Sequence, residues 1–562
     1  MTQLSFRNTY ARMPEDFFSK TDPTPVKAPS LFKFNQALAE ELGIDAIIED
    51  DEAVDYFAGN KILEGSEPIS MAYSGHQFGN FSPTLGDGRA ILLGEIKAEN
   101  GVRYDIQLKG SGRTPWSRGG DGRSALGPVI REYILSEAMH KLGVPTTRAL
   151  AAVSTGEQVV REGMKPGGII TRVAKGFVRV GTFQYFASQG KVDDLKKLTA
   201  YVIGRHYPKA KSSQSKDVKI PAAALLKAVV DAQAKLIAKW MSLGFIHGVM
   251  NTDNVSIAGE TIDYGPCAFM DEFSHDRVYS SIDRESRYAY QNQPQIGQWN
   301  LVRFAETLLP LFAEYVTPEQ GKPEEVVVMI AQEALNEYES LYKQYWLNNM
   351  RQKLGMASTD NALSTEQIFE KSMAKGSNSD EDSSPVEDSM RPTGKDSEAV
   401  KSQTNIVEEA KVHEQNANDH ALINRLLEIM QAGKADFTLT FYHLSQDIKQ
   451  LENVRVLFVD EEGTNNADDF DVWAKKWQAR LRKEKSTTAE QQALMQSVSP
   501  AYIPRNHQVE AAIRAAEDNN DFTKFDELHK VLQTPFELQD GMDEYLLPPK
   551  PEEVVLQTFC GT

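Results

Sequence analysis

The 562-residue sequence contains only two cysteines, Cys267 and Cys560. Two thiols cannot build a disulfide framework or a cysteine-rich zinc site. Positive charge is also scarce: 61 Lys and Arg stand against 80 Asp and Glu, a formal net charge of −19. That balance argues against broad binding to nucleic acid or to an anionic membrane, which both need a basic face, and leaves room only for a local basic pocket. No apolar run approaches the roughly 20 residues that span a bilayer. The opening stretch, MTQLSFRNTYARMPEDFFSK, lacks the apolar core of a secretory signal, and its Glu15 and Asp16 are foreign to acid-poor transit peptides. The expectation is a cytoplasmic protein, most simply bacterial, with no membrane or nucleic-acid partner and a monomer as default.

What is present is an ordinary globular composition, 41% hydrophobic and 25% charged, on a chain long enough for two to four domains. Residues 1–72 read as irregular and short helical segments, with SLFKFNQALAEELGI as an amphipathic helix. From 73 the texture turns to glycine-rich turns and short β runs. RAILLGEIKAENGVRYDIQLKG predicts a hairpin about Asn100-Gly101. SALGPVIREYILSEAMHKLGVP predicts a helix ended by Gly143 and Pro145. Residues 186–355 read as mostly helical, and residues 356–420 as a disordered acidic insert too polar to repay its ordering entropy. Helical texture resumes over 421–562. A strand hairpin, a helix and further strands over 73–185, followed by helices, predict an α+β fold: a β-rich small lobe, a helical large lobe, and mostly helical extensions at both ends.

Chemistry concentrates in HGVMNTDNVSIAGETIDYG, His247 to Gly265. Its His, Gly and Asn254, followed by Asp263-Tyr264-Gly265, match the spacing of a kinase catalytic loop and its metal-binding D-F/Y-G. The position of the catalytic aspartate, however, is Val249, and an aspartate stands instead at Asp253. Asn254 and Asp263 are hard oxygen donors suited to Mg²⁺ or Mn²⁺, and the VSIAGETI between them reads as a strand, a turn at Gly259 and a strand. Upstream, Gly86, Gly88 and Arg89 enter a strand as a phosphate-approaching turn. Lys109 ends the strand YDIQLKG on the face of Asp105 and Gln107. Glu132 is the natural ion-pair partner of Lys109, with Glu137 second. GSGRTPWSRGGDGRSA, which holds Asp121 and Gly122 with Arg113, Arg118 and Arg123, reads as a basic anion-binding loop. Arg172 and Arg179, each on a short β run, add guanidinium groups that can fork onto phosphate oxygens. Cys267, just past the D-Y-G, and Cys560 are either unrelated thiols or a redox pair.

The strings GHQFGNFSPTLGDGRA, LKGSGRTPWSRGGDGRSALG, LGVPTTRAL, GFIHGVMNTDNVSIAGETIDYGP and YIPRNHQVE together resemble the SelO (selenoprotein O, YdiU) family. The resemblance implies a protein kinase-like fold that uses ATP to place AMP on Ser, Thr or Tyr hydroxyls of proteins, with ATP flipped relative to ordinary kinases. It implies Gly86, Gly88, Arg89, Lys109, Asp121, Gly122, Arg172, Arg179 and Asp263 as nucleotide contacts, Asp253 as proton acceptor, and Asn254 and Asp263 as ligands to Mg²⁺ or Mn²⁺. Glu132 supports Lys109. Many eukaryotic members end in a selenocysteine where this chain has Cys560, which leads to the expectation that Cys560 pairs with Cys267 and restrains the active site. The alternatives are a phosphotransferase acting on a protein or small molecule, and a non-catalytic ATP-binding scaffold.

Overall fold

The computed structural model describes residues 5–49, 52–211, 220–357, 395–458 and 466–558. Its architecture is mixed α/β. Twelve strands occur among these residues: β1 (Phe18–Lys20), β2 (Ser30–Phe34), β3 (Ile69–Met71), β4 (Gly75–Gln77), β5 (Asn80–Ser82), β6 (Ala90–Lys97), β7 (Arg103–Lys109), β8 (Ser124–Ala125), β9 (Arg148–Val160), β10 (Met164–Ala174), β11 (Phe245–Ile246) and β12 (Ala268–Phe269). The main sheet runs β1-β3-β6-β7-β10-β9-β2, with β8 also on β10. Its pairings are antiparallel.

The β6–β7 hairpin forms at the predicted turn, with Gly101 at φ +82°. Side chains on a strand alternate between faces. Ile106 and Leu108 of β7 accordingly enter an apolar cluster with Leu93, Ile96 and Val173. Gln107 and Lys109 fall on the opposite side, where the functional groups gather.

The first 72 residues are less helical than their sequence suggests. They supply β1, β2 and β3, and SLFKF is strand β2. Helix α1 (Gln36–Leu42) starts only after Asn35, whose side chain accepts from the Leu38 N–H as a cap. A further short helix, α2, covers Ala53–Ala58.

Helix α3 (Leu126–Lys141) packs against β9 and β10 on the Lys109 face of the sheet and is buried on nearly every side. A helix apolar or paired all round must lie in an interior. Its stop is local: Gly143 takes φ +73°, and the Val144 N–H reaches back to Met139 O. Helices α4 (Val180–Ser188) and α5 (Val192–His206) lead to α6 (Pro221–Leu243), which begins at a proline and ends at Gly244 in the left-handed region, φ +71°. Its 23 residues pack against α7 (Gln293–Ala313) and α8 (Pro323–Lys353). Each Leu, Ile or Phe fully buried there contributes about 1.5–3 kcal/mol.

Within the span read as a disordered insert, residues 358–394 lie outside the described residues, but the helix Lys395–Ala432 enters it. Asp419 on that helix is buried and accepts from Arg351 at 2.8 Å and from the Arg480 guanidinium. The polar composition hid this, because the helix is held by ion pairs to distant segments and by apolar residues further along it, Ile423, Leu426 and Met430, which are fully buried. No described helix is long and apolar enough to cross a membrane.

Candidate active site

A cavity of about 680 Å³ opens between the sheet and the helices. Its walls carry Gly86, Gly88 and Arg89 from the turn before β6, Lys109 from the end of β7, and Arg172 from β10. Asp121 and Gly122 come from the glycine-rich loop, and Arg179, Asp253, Asn254 and Asp263 complete the lining.

Lys109 meets Glu132 on α3 at 2.7 Å and Asp263 at 3.4 Å. Arg172 donates to Glu132 through Nε and to Asp263 at 2.5 Å through Nη2, and Arg179 donates to the other Asp263 oxygen at 3.0 Å. Three cations therefore converge on one carboxylate. Burial alone would raise the Asp263 pKa, but Arg172, Arg179 and Lys109 outweigh it and hold the carboxyl well below its ordinary value. The same contest, decided by Arg172 and Lys109, lowers Glu132. Asp263 has φ +63°, a left-handed conformation that costs an aspartate energy and turns the chain at the D-Y-G. Glu137 lies elsewhere, held by Arg148 at 2.8 Å and by Asn35.

Arg179 is not on a β run. It is the N-cap of α4, and its backbone meets the Asn254-to-Asp263 segment only as an isolated bridge to Ser256, while its side chain reaches Asp263. That segment does not form its own hairpin either. Gly259 does turn the chain at φ +72°, but Ser256 bridges to Arg179 and Thr261 to Thr146, so each arm pairs outward. Tertiary partners took the backbone groups that local β propensity had assigned to each other.

The catalytic-type loop is fixed by its own polar side chains. His247 is buried and its Nε2 donates to Ile262 O at 2.9 Å, tying the loop to the residue before Asp263. Burial lowers its pKa and keeps the ring neutral. Asn254 Nδ2 donates to Val249 O at 2.9 Å, which leaves the amide oxygen for a ligand. Val249 itself is buried. Asp253 sits in a short 3₁₀ turn, Thr252–Asn254, and accepts from Gln77 Nε2 at 3.1 Å. Among the described residues no donor reaches its Oδ1. Burial, opposed by that single Gln77 bond, pushes Asp253 up to about 6.

The β4–β5 hairpin that carries Gln77 is the element that residue-by-residue reading missed. His76 N–H donates to Thr252 Oγ1 at 2.7 Å, and Phe78 N–H to Asn251 Oδ1 at 3.0 Å. A Cβ at Gly75 would fall 2.4 Å from Asp253 Oδ1. Its only sequence signal was GHQFGN, a string without titratable pairs. Asp87 was likewise passed over. It is buried, accepts from Met71 N–H, lies 3.8 Å from Arg179, and is raised to about 6 by burial.

Of the basic loop, Arg118 and Arg123 line the cavity, but Arg123 spends its guanidinium on Thr24 O and Pro25 O. Asp121 pairs with Arg161 at 2.9 Å. Cys267 is buried in the helical core. Cys560, and with it any pairing to Cys267, lies outside the described residues.

An amide and a carboxylate, both hard oxygen donors on one cavity wall, suit a divalent ion such as Mg²⁺ or Mn²⁺. Residues 1–533 match the family described as "Protein adenylyltransferase SelO". Two curated relatives carry the name "Protein nucleotidyltransferase YdiU". One, from Rhizobium meliloti, is 47% identical over 565 residues, covering 100% of both chains; the other, from Bradyrhizobium sp., is 48% identical over 560 residues, covering 99% of each. With a match across nearly its whole length, the chain belongs to the SelO family and is a protein nucleotidyltransferase.

Proposed function

We propose that the chain is a protein adenylyltransferase on a two-lobed, protein kinase-like scaffold, with the sheet as small lobe and α6–α8 as the body of the large one. It takes ATP into the cavity and transfers AMP to a Ser, Thr or Tyr hydroxyl of a protein. The acceptor oxygen forms a bond to the α-phosphorus, the bond from that phosphorus to the β-phosphate oxygen breaks, and pyrophosphate leaves.

The observation that carries this reading is the convergence of Lys109, Arg172 and Arg179 beside Asp253 in one cavity. Three fixed cations stabilise charge that grows on a departing pyrophosphate, and they need no reorganisation to do so. Gly86, Gly88 and Arg89 bracket the nucleotide from the sheet side, and Asp121 and Gly122 from the glycine-rich loop. Asp253 takes the hydroxyl proton. Raised to about 6, its carboxylate is ionised at neutral pH yet basic enough to accept. Its Oδ1, which no donor reaches among the described residues, can take the proton while Oδ2 keeps its bond to Gln77. Asn254 and Asp263 would hold the divalent ion, which supplies positive charge against the phosphate oxygens. Position 249, where an ordinary phosphotransferase carries its base, is a buried valine, and that disfavours γ-phosphoryl transfer.

Incubation of the protein and acceptor proteins with ATP labelled at the α- or the γ-phosphate tests this. Label transferred from the α position alone is the expected result. Label from γ alone would make it a kinase, and no label would make it a scaffold.

A further inference from the structure

Helix α3 carries Glu132, and the residue before it, Arg131, points to the opposite partner. Arg131 is buried at 6% exposure. Its Nη1 donates to Cys267 O at 3.3 Å and to Asn506 Oδ1 at 3.0 Å, and Glu510 stands 3.9 Å from its Nη2. Cys267 is four residues past Asp263. Asn506 opens the helix Asn506–Asn519. Beside it, Arg505 is fully buried and bonds Asp271 at 2.5 Å, Asp436 at 2.8 Å and Leu546 O at 3.1 Å. One polar chain thus ties α3, the segment after the D-Y-G and the C-terminal helices to a common point.

The apolar contacts repeat the pattern. Tyr133 of α3 packs edge-on against Phe525, and Val509, Ala512 and Ile513 share its cluster. The helix axes approach so closely that a Cβ at Gly127 would fall 2.9 Å from Ile513, and Gly127 N–H donates to Glu517.

We propose that Arg131 is a positioning residue for nucleotidyl transfer, and that through it the C-terminal helices act as a built-in clamp holding α3 with Glu132 turned toward Lys109. Neighbouring side chains on an α-helix project about 100° apart, so fixing Arg131 on one side fixes the heading of Glu132 on the other. The lever is short and sensitive. A helix rotation of about 10° moves a carboxylate some 6 Å from the axis by roughly 1 Å, enough to cost about 100-fold in rate. Because Arg131 also grips Cys267 O, the clamp sets Glu132 and Asp263 in register with each other. The C-terminal region is then part of the catalytic machinery, and the Lys109–Glu132 pair stands assembled without a separate activating partner.

This rests on the reading of Lys109 and Glu132 as the nucleotide-holding pair, and the test separates the two. AMP transfer from α-labelled ATP is measured for the full chain and for R131M, E132Q, the double variant, R131K and N506A, with kcat and KM for ATP determined for each. E132Q at wild-type activity would defeat the pair itself. Given a defective E132Q, R131M is expected to lose about 10–100-fold in kcat/KM, and the double variant to lie within about threefold of E132Q. Residues acting through one another are non-additive, whereas a merely structural residue lowers activity independently of Glu132. R131K, which keeps one donor, should recover most of the loss, and N506A, which removes one acceptor at the buried start of the helix Asn506–Asn519, should show an intermediate defect, with folding checked by far-UV circular dichroism. Multiplicative losses in the double variant, or R131M and N506A both within threefold of wild type, would overturn the proposal.

Discussion

Replacing Asp253 with asparagine should make the protein more stable and nearly inactive at once. The carboxylate is buried, and among the described residues it has one side-chain donor, Gln77, with none at Oδ1. Its pKa is pushed from 3.8 up to about 6. A folded-state pKa above the unfolded one means that folding favours the protonated form. The associated stability is therefore present in full below pH 3.8 and lost as pH rises through about 6. At pH 7.5 the ionised group costs about 3 kcal/mol, from roughly two decades at 1.36 kcal/mol each. Asparagine keeps the shape and the Gln77 contact without the charge, so Asp253→Asn should recover about 1–3 kcal/mol, an upper bound since its amide brings a donor of its own to be satisfied. The catalytic effect runs the other way. Loss of a positioned base removes about 10²–10⁴-fold, or roughly 3–5 kcal/mol of barrier lowering. Urea unfolding at pH 7.5 and at pH 4.5 measures the first effect, and transfer from α-labelled ATP the second. The stability gain should shrink at the lower pH. A variant that transfers AMP within threefold of wild type, or that is less stable than wild type at pH 7.5, would refute the assignment of a desolvated, buried base.

Three further outcomes follow from the same geometry. The kcat/KM for AMP transfer should rise with pH through an acidic limb near 6 and then level, and Asp253→Asn should abolish that limb, as a pH–rate profile of both proteins would read directly. Asp263→Ala should reduce transfer at least 10³-fold with the far-UV spectrum unchanged, and chelation of divalent ions by EDTA should depress the wild type without further effect on the variant. Gly75→Ala forces a methyl group into Asp253, 2.4 Å from Oδ1, and should lower kcat at least tenfold while leaving the affinity for ATP within about threefold, measured by equilibrium binding.

Much of this site was legible because its residues advertise themselves. Alternation along YDIQLKG put Lys109 on the polar face, and the helix after the glycine-rich loop offered Glu132, which lies 2.7 Å from it. What could not be read were choices made by distant partners. VSIAGETI has the composition of a hairpin, yet its arms pair with Thr146 and Arg179, residues far away in sequence. SLFKF continues smoothly into an amphipathic helix on paper, but Leu31, Lys33 and Phe34 find register against Val153, Ala152 and Ala151 of β9. The part of the helix Lys395–Ala432 that precedes residue 421 is polar enough to look unfolded, and its Asp419 is anchored by Arg351 and Arg480, while Ile423, Leu426 and Met430 pack into the core beyond it. Gln77 and Gly75 escaped notice because a neutral amide and a glycine carry no chemical signal until their contact with Asp253 is known.

The displaced aspartate is the point where sequence and geometry meet. In the loop His247–Asn254, Val249 is a buried apolar residue on the cavity wall whose carbonyl accepts from Asn254, so position 249 serves as scaffold for a donor of oxygen ligands. The tight turn Thr252–Asn254 then projects Asp253 into the cavity, where the β4–β5 hairpin covers it from above and Arg179 grips its main-chain carbonyl at 2.8 Å. Arg179 reaches Asp263 with the same nitrogen. One guanidinium therefore sets the distance between the proposed base and the proposed metal ligand, and it is steadied by the face of Tyr73 at 4.6 Å. Arg179→Lys keeps the charge but loses the rigid guanidinium plane that aims one nitrogen at both oxygens and stacks on Tyr73. It should lower kcat and raise the KM for ATP together, whereas a residue that binds phosphate equally in the ground and transition states would move KM with kcat held. Steady-state kinetics with α-labelled ATP distinguish these outcomes, and an unchanged kcat would remove Arg179 from the link between the two aspartates.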